Sequence, residues 1–314
     1  MAYNFDLPII SYEQPRHILS GTHRNYLMHR IPALLASSNE TVSDDGSSAT
    51  MVSSYPNASY RNPAEVARRL ADDLFLDTEF PHRLFLPHNF TPSYNYPLVV
   101  WLHSEASSEM ELDSVMESLS DQNYIAVAPR ANIRSSTKQR LFQWGNSKAD
   151  FAFAEEAVCE CISSAVELLP VRTDRVFLAG FGLGGTVAQW IGLQYSNMVA
   201  GVVSLSGAMP SLGGSLSNWK SSRHLPVLFS HRRGSSLCSQ SDLQNAMRFS
   251  HRAGLNYRFS TLWSEEDSFS EADELSTSML AVANRFMMGI VTDSEISFEP
   301  ESNRDHLVGP FGVN

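Results

Sequence analysis

The stretch from Val176 to Gln194, VFLAGFGLGGTVAQWIGLQ, constrains the fold more than any other part of the sequence. Its first five residues are apolar without alternation, as is typical of a central parallel strand covered on both faces. The next residues are rich in glycine, which favours a tight turn. A helix is expected to begin at about Gly184 or Gly185 and to continue through Trp190. The segment therefore predicts a buried strand, a tight turn and a helix.

The glycine-rich turn has the spacing of the G-x-S-x-G motif. In that motif a serine on a strained turn exposes its hydroxyl above the sheet as a nucleophile. Here Gly180, Gly182 and Gly184 fill the three pattern positions. Glycine therefore stands where the nucleophile would be. The spacing of the motif supports the predicted strand, turn and helix. The missing serine argues against nucleophilic catalysis at this turn.

The rest of the chain indicates the fold class and the domain organisation around this segment. A length of 314 residues with 43% hydrophobic content allows one large α/β domain or two ordinary ones. Strands alternate with helices, which predicts a mostly parallel central sheet with helices on both faces. We expect a largely disordered N-terminal segment with a Ser-rich linker over 1–60, an α/β domain over 61–290 and a flexible tail over 291–314.

Charge and composition exclude several function classes. The formal charge of −11, with no basic stripe, disfavours nucleic-acid binding. No apolar run approaches the length of about 18 residues that a membrane span needs. The three cysteines have no disulfide framework spacing, and we see no signal peptide, so a cytoplasmic location is expected. The glycine spacing differs from the dinucleotide fingerprint, and no metal motif is present, so neither a cofactor nor a metal is expected.

Six stretches carry a family resemblance between about Arg83 and Ile290. Together and in this order they resemble the α/β-hydrolase superfamily. More narrowly, the chain looks like the bacterial phospholipase/carboxylesterase and polyhydroxybutyrate-depolymerase-like esterases. The stretches are PLVVWLH at 97–103, YIAVAPR at 124–130, RVFLAGF at 175–181, GG at 184–185, GVVSLSG at 201–207 and PVLFSH at 226–231.

The resemblance implies a serine nucleophile, a histidine base and an acid that orients the histidine. The family-equivalent positions in this sequence are Gly182, Ser235 and Asp267. The histidine position falls within 264–273, a stretch without histidine. None of the three catalytic side chains is therefore retained at its expected position.

The resemblance also implies an oxyanion hole. It would combine the backbone N–H of Leu183 with one from the loop that follows His103. In that loop Ser104 and Glu105 replace the small residues of the family pattern, so a carboxylate would lie near the developing negative charge. Strand ends at this sheet edge bind ligands in α/β proteins. The candidate cleft residues are His103, Ser104, Glu105, Gly182, Leu183, His231 and Glu265.

Three functions stay open at this stage. The first is a pseudo-esterase that has lost catalysis and binds a small molecule, such as an acyl ester, or a protein. The second is an active carboxylic-ester hydrolase in which His103 or His231 activates water beside the acidic cluster Glu265–Asp267. The third is a protein-interaction scaffold that uses residues 1–60 as a docking arm. The missing catalytic side chains favour an inactive protein.

Overall fold

The computed structural model describes residues 65, 69, 71, 79–135, 140–210, 220–262, 274–292 and 305–306. The strands among them are β1 His82–Phe85, β2 Tyr96–Leu102, β3 Ile125–Pro129, β4 Ile133–Arg134, β5 Phe142–Gln143, β6 Val171–Phe181, β7 Gly201–Leu205, β8 Val227–Arg232, β9 Tyr257–Leu262 and β10 Asp305–His306. The helices are α1 Glu111–Leu119, α2 Lys148–Leu168, α3 Leu183–Gln194, α4 Gln240–Ala253 and α5 Thr277–Val291.

One sheet of eight strands organises the described part of the chain, in the order β1-β3-β2-β6-β7-β8-β9-β10. The six inner strands run parallel to their neighbours, while β1 and β10 pair antiparallel at the two edges. The predicted mostly parallel central sheet is therefore confirmed. Parallel neighbours place the carboxyl ends of β2, β6, β7 and β8 along one edge, where the candidate cleft residues were expected.

The two faces of the sheet bury separate cores. Along β6, Val176 and Leu178 pack in one core with residues of α2 and α3. Phe177 and Ala179 pack in the other core with residues of α1 and α5. Because side chains alternate between the faces of a strand, a strand that is apolar at every position needs helices on both sides. The arrangement confirms that prediction.

Some element boundaries differ from expectation, and local capping explains two of them. The sequence pattern predicts that the last helix begins near Glu271, but it begins at Thr277. Ser276 caps this start, because its Oγ accepts a hydrogen bond of 3.3 Å from the Met279 N–H. The sequence pattern also predicts a long loop over 131–150, and this stretch contains the two-stranded sheet β4–β5. It ends early because Ser147 forms a capping box at the start of α2.

The predicted terminal segments are described only in part. Residues 1–60 lie outside the described residues, as does most of the stretch 61–78. Within the expected tail, Asp305 pairs with Leu262 and His306 with Thr261, so that β10 covers the open edge of β9. No helix in the described ranges is long and apolar enough to cross a membrane.

Candidate functional site

A single residue, Gly182, forms the turn between β6 and α3. Its φ of 56° and ψ of −126° are strained for any residue with a side chain. Its N–H donates to the Leu205 carbonyl at 2.9 Å, and its carbonyl accepts from the Thr186 N–H at 3.2 Å. The backbone therefore keeps the strained strand-to-helix turn of the G-x-S-x-G motif, but without a hydroxyl at the central position.

The flanking glycines are required by close backbone approach. A Cβ atom at Gly184 would lie 2.1 Å from the Leu102 carbonyl oxygen, and one at Gly180 would lie 2.5 Å from the carbonyl carbon of Gly184. Neither distance is compatible with a side chain. The glycines at 180 and 184 thus let the helix start pack directly against the ends of β2 and β6.

The carboxylate of Glu105 lies over the turn. Its Oε1 accepts a hydrogen bond of 2.6 Å from the Leu183 N–H. A Cβ atom at Gly182 would lie 2.2 Å from Oε2 of the same carboxylate. The start of a helix offers unpaired N–H groups and a partial positive charge, which favour an anion. The resemblance assigns the Leu183 N–H to the oxyanion hole. In this structure that N–H is bound by an anion of the protein itself, the Glu105 carboxylate.

Neighbouring contacts fix the loop that carries Glu105. The Ser104 N–H donates to both carboxylate oxygens of Glu111 at 3.2 Å, and Trp101 Nε1 donates to the same carboxylate at 2.9 Å. Beyond Glu105 the loop is tied to β5, because the Ser107 N–H donates to the Phe142 carbonyl at 3.2 Å. The carboxylate is thus presented to the turn from a loop anchored on both sides.

His103 is fully buried beneath this loop, and both of its ring nitrogens are engaged. Nδ1 donates to the Ser104 carbonyl at 2.9 Å, and Nε2 accepts from the Ala131 N–H at 3.1 Å. The Trp144 ring packs against it with centroids 5.3 Å apart. Burial lowers the pKa of His103 below its ordinary value. These contacts give His103 a structural role. They argue against a role in which its ring activates a water molecule.

Comparison with known proteins supports the fold described above. The sequence model of the phospholipase/carboxylesterase family matches residues 137–274. The comparison with curated proteins gave no match. The chain has the α/β-hydrolase fold. The predicted resemblance to phospholipases and carboxylesterases is confirmed.

Three solved structures, two of them carboxylesterases, are similar to this chain. A Mesorhizobium loti carboxylesterase has 14% identity and a TM-score of 0.54, covering 69% of this chain and 98% of its own. A Bacillus cereus carboxylesterase has 15% identity and a TM-score of 0.52, covering 68% of this chain and 96% of its own. SOBER1 of Arabidopsis thaliana has 16% identity and a TM-score of 0.52, covering 62% of this chain and 99% of its own. Identities this low establish the fold alone.

In this α/β-hydrolase-fold chain, the position expected for the catalytic acid belongs to a turn. Ser235 follows β8, is 7% exposed, and its N–H donates to the Arg232 carbonyl at 3.1 Å. Its hydroxyl oxygen accepts from the Leu237 N–H at 3.2 Å. Serine at this position shapes the turn and supplies no negative charge. The remaining predicted positions, Glu265 and Asp267, lie outside the described residues.

His231 stands at the end of β8 with 1% of its surface exposed. Burial lowers its pKa, against an opposing influence from the charge of Asp242. Its Nδ1 has no hydrogen-bond partner among the described residues. Of the predicted cleft residues, the structure thus brings Glu105, Gly182 and Leu183 into one contact. His231 lies two strands away from that turn.

Two residues outside the predicted set of cleft residues also shape the site. Glu111 organises the Ser104 turn, although a glutamate at a helix start is ordinarily a solvated residue. Ser206, at the end of β7, is fully buried with a φ of 50°, and its hydroxyl has no partner in the part of the chain that the structure describes. The only sequence signal for Ser206 is its place before Gly207 at a strand end. Within the described ranges no three side chains of the metal-ligating types group together.

Proposed function

We propose that this chain is a pseudo-esterase, an α/β-hydrolase-fold protein that has lost serine-esterase catalysis and acts by binding a small molecule or a protein partner. One observation carries the proposal. The Glu105 carboxylate is hydrogen-bonded to the Leu183 N–H, directly over a turn whose central residue is Gly182.

This contact opposes ester hydrolysis in two ways. Gly182 offers no hydroxyl to form an acyl-enzyme. The Leu183 N–H, which would stabilise the oxyanion, is already bound to a carboxylate. Loss of one oxyanion donor costs roughly 3–4 kcal/mol of transition-state stabilisation, and a fixed negative charge at the same place adds electrostatic repulsion.

The other catalytic positions support the same conclusion. Ser235 is held in its turn by hydrogen bonds and cannot orient a histidine by charge. The sequence has no histidine between His251 and His306, so the stretch after β9 supplies no imidazole base. The proposal also places the protein in the cytoplasm, which agrees with free thiols at Cys159, Cys161 and Cys238.

The test combines turnover and covalent labelling of the full chain. We expect p-nitrophenyl esters of short and medium acyl chains to hydrolyse no faster with this protein than in a control. The control is the same buffer with an equal concentration of a protein that has no esterase activity. A fluorophosphonate probe is expected to label no serine. Turnover above that background, together with a labelled serine whose alanine variant loses the activity, would overturn the proposal.

A second candidate function rests on His231. A buried imidazole with an unpartnered nitrogen at a strand end could serve as a base in a non-standard hydrolase. If hydrolysis is found, His231→Gln is expected to abolish it under this alternative. Hydrolysis that is indifferent to His231→Gln excludes this form of the active enzyme, and His103→Gln tests the other predicted histidine in the same way.

A further inference from the structure

The outer edge of β9 is covered by β10 only at its carboxyl end. β10 pairs with Thr261 and Leu262. β9 begins at Tyr257, so residues 257–260 have no strand beside them on this side within the described ranges. An open strand edge presents unpaired N–H and C=O groups, and native proteins ordinarily cover it. The remaining part of this edge is therefore a surface on which an extended segment can dock.

The hydrogen bonds to β8 show which backbone groups of β9 point toward that edge. The Val227 N–H donates to the Asn256 carbonyl at 2.9 Å, and the Arg233 N–H donates to the Leu262 carbonyl at 3.0 Å. Backbone groups of successive residues point to opposite sides of a strand. The even-numbered residues of β9 therefore face β8, and the odd-numbered residues face the outer edge. Phe259 directs both its N–H and its C=O outward.

The two neighbouring edge-facing N–H groups differ from that of Phe259. The Tyr257 N–H donates to the Leu255 carbonyl at 3.0 Å. Thr261 lies opposite His306 of β10. Phe259 is thus the edge-facing residue of β9 for which the described part of the chain supplies no strand partner. A docking segment would have to supply one donor and one acceptor at this position.

The sequence after His306 matches this requirement. It reads LVGP at 307–310. Continuation of the antiparallel register of β10 would place Val308 opposite Phe259, in a pair that exchanges both backbone hydrogen bonds. The Phe259 ring packs against Phe229 with centroids 5.5 Å apart and is only half-buried. A β-branched side chain opposite an aromatic ring is a favourable cross-strand pair.

Proline gives the segment a defined end. In the same register Pro310 would lie opposite Tyr257, the first residue of β9. Proline has no N–H to donate, and the Tyr257 N–H already has an acceptor. The chain therefore offers a donor where β9 has an open position and stops offering one where β9 begins.

We propose that the C-terminal segment Leu307–Gly309 docks on the open edge of β9 and extends β10 along it, so that the end of the chain closes the sheet against pairing with other proteins. The occupant is a segment of the same chain. Asp305 and His306 hold the preceding residues on this edge, which gives the segment a higher effective concentration than the same segment of a second copy. This surface lies three strands away from the turn at Gly182 and does not depend on the proposed function.

The experiment is amide hydrogen exchange of the full-length protein, resolved to single residues by NMR. In the wild type the Phe259 N–H is expected to exchange at least tenfold more slowly than in an unstructured peptide. Val308→Pro removes the donor at the position opposite Phe259, so the Phe259 N–H is expected to exchange at least tenfold faster than in the wild type. The Ser260 N–H faces β8, and its unchanged protection verifies that the variant is folded.

Two variants serve as controls. Val313→Pro makes the same substitution beyond Pro310, and the Phe259 N–H is expected to exchange as it does in the wild type. Val308→Thr keeps the N–H and the β-branched side chain, so protection of Phe259 is expected to stay within about twofold of the wild type.

An unprotected Phe259 N–H in the wild type would overturn the inference, as would equal Phe259 exchange rates in the wild type and Val308→Pro. Protection that appears only as the protein concentration is raised would assign the strand to a second copy and overturn docking by the same chain. Ester turnover by the wild type would remove the pseudo-esterase proposal and leave this result unaffected.

Discussion

A Cβ atom at Gly182 would lie 2.2 Å from Oε2 of Glu105, so a side chain at the first residue and the carboxylate of the second exclude each other. In sequence these residues are 77 positions apart and depart from the esterase pattern separately. In the fold they form a single contact across the turn. A serine introduced at position 182 therefore conflicts with the glutamate at position 105.

We first predict that Gly182→Ser destabilises the protein and does not create an esterase. The φ of 56° and ψ of −126° strain a serine by about 1–3 kcal/mol, and the new Cβ also displaces the Glu105 carboxylate. The free energy of unfolding in urea measures the loss, and p-nitrophenyl acetate measures the activity. Robust hydrolysis by this single variant would show that a base lies where none was assigned.

A double-mutant cycle separates the strain at Gly182 from the clash with Glu105. Glu105→Gly removes the carboxylate, so Gly182→Ser should cost less in that background than in the wild type. We expect a coupling free energy of about 0.5–3 kcal/mol, the range found for residues in contact. Additive effects of the two substitutions would contradict the close approach of the two residues.

A second prediction concerns the packing of the helix start. In Gly184→Ala the new methyl would lie 2.1 Å from a backbone oxygen of Leu102, which cannot move without shifting β2. We expect a loss of about 1–3 kcal/mol or more in unfolding free energy, although alanine favours a helix intrinsically. Gly201→Ala is the control and should cost less, because its nearest contact, at 3.0 Å, is the terminal methyl of Ile290. A larger loss for the control would contradict this account.

A third prediction concerns a buried hydrogen-bond network behind the turn. The Tyr257 hydroxyl donates to Gln189 Oε1 at 3.1 Å, and Gln189 Nε2 donates to Ser204 Oγ at 2.8 Å. Tyr257→Phe leaves the Gln189 oxygen without that donor, so thermal and urea unfolding should show a loss of about 1–2 kcal/mol. Tyr94→Phe, at a tyrosine that is 56% exposed, should change stability by less than about 0.5 kcal/mol.

A fourth prediction concerns the pH dependence of stability. Burial lowers the pKa of His103 below its ordinary value of 6.5, so the unfolded chain takes up a proton more readily than the folded protein. The stability associated with the neutral imidazole is present above about pH 6.5 and is lost as the pH falls toward the folded pKa. The slope due to this group is at most about 1.4 kcal/mol per pH unit.

His103→Gln provides the measurement for that effect. The variant loses the hydrogen bonds and ring packing of His103, so it should be less stable than the wild type at pH 8. Glutamine does not titrate, so the difference in unfolding free energy should narrow as the pH falls below about 6.5. Parallel stability curves for the two proteins between pH 8 and pH 5 would contradict the lowered pKa.

Much of the fold could be predicted from local patterns. The unbroken apolar run of β6 predicts helices on both faces, because every side chain of a covered strand must be buried. The alternation of strands and helices predicts parallel neighbours, since each helical crossover returns the chain in the same direction. Boundaries were less accurate, as at Thr277, because Ser276 caps that helix through a single local hydrogen bond.

The sequence by itself determined the glycine turn and the absence of serine at its centre, because these follow from spacing along one short segment. Only the tertiary structure decided that Glu105 reaches the Leu183 N–H and that His103 is enclosed by Ser104 and Ala131. Both results depend on how a loop after β2 approaches a turn after β6. That approach is fixed by the pairing of the two strands, which brings together residues far apart in the sequence.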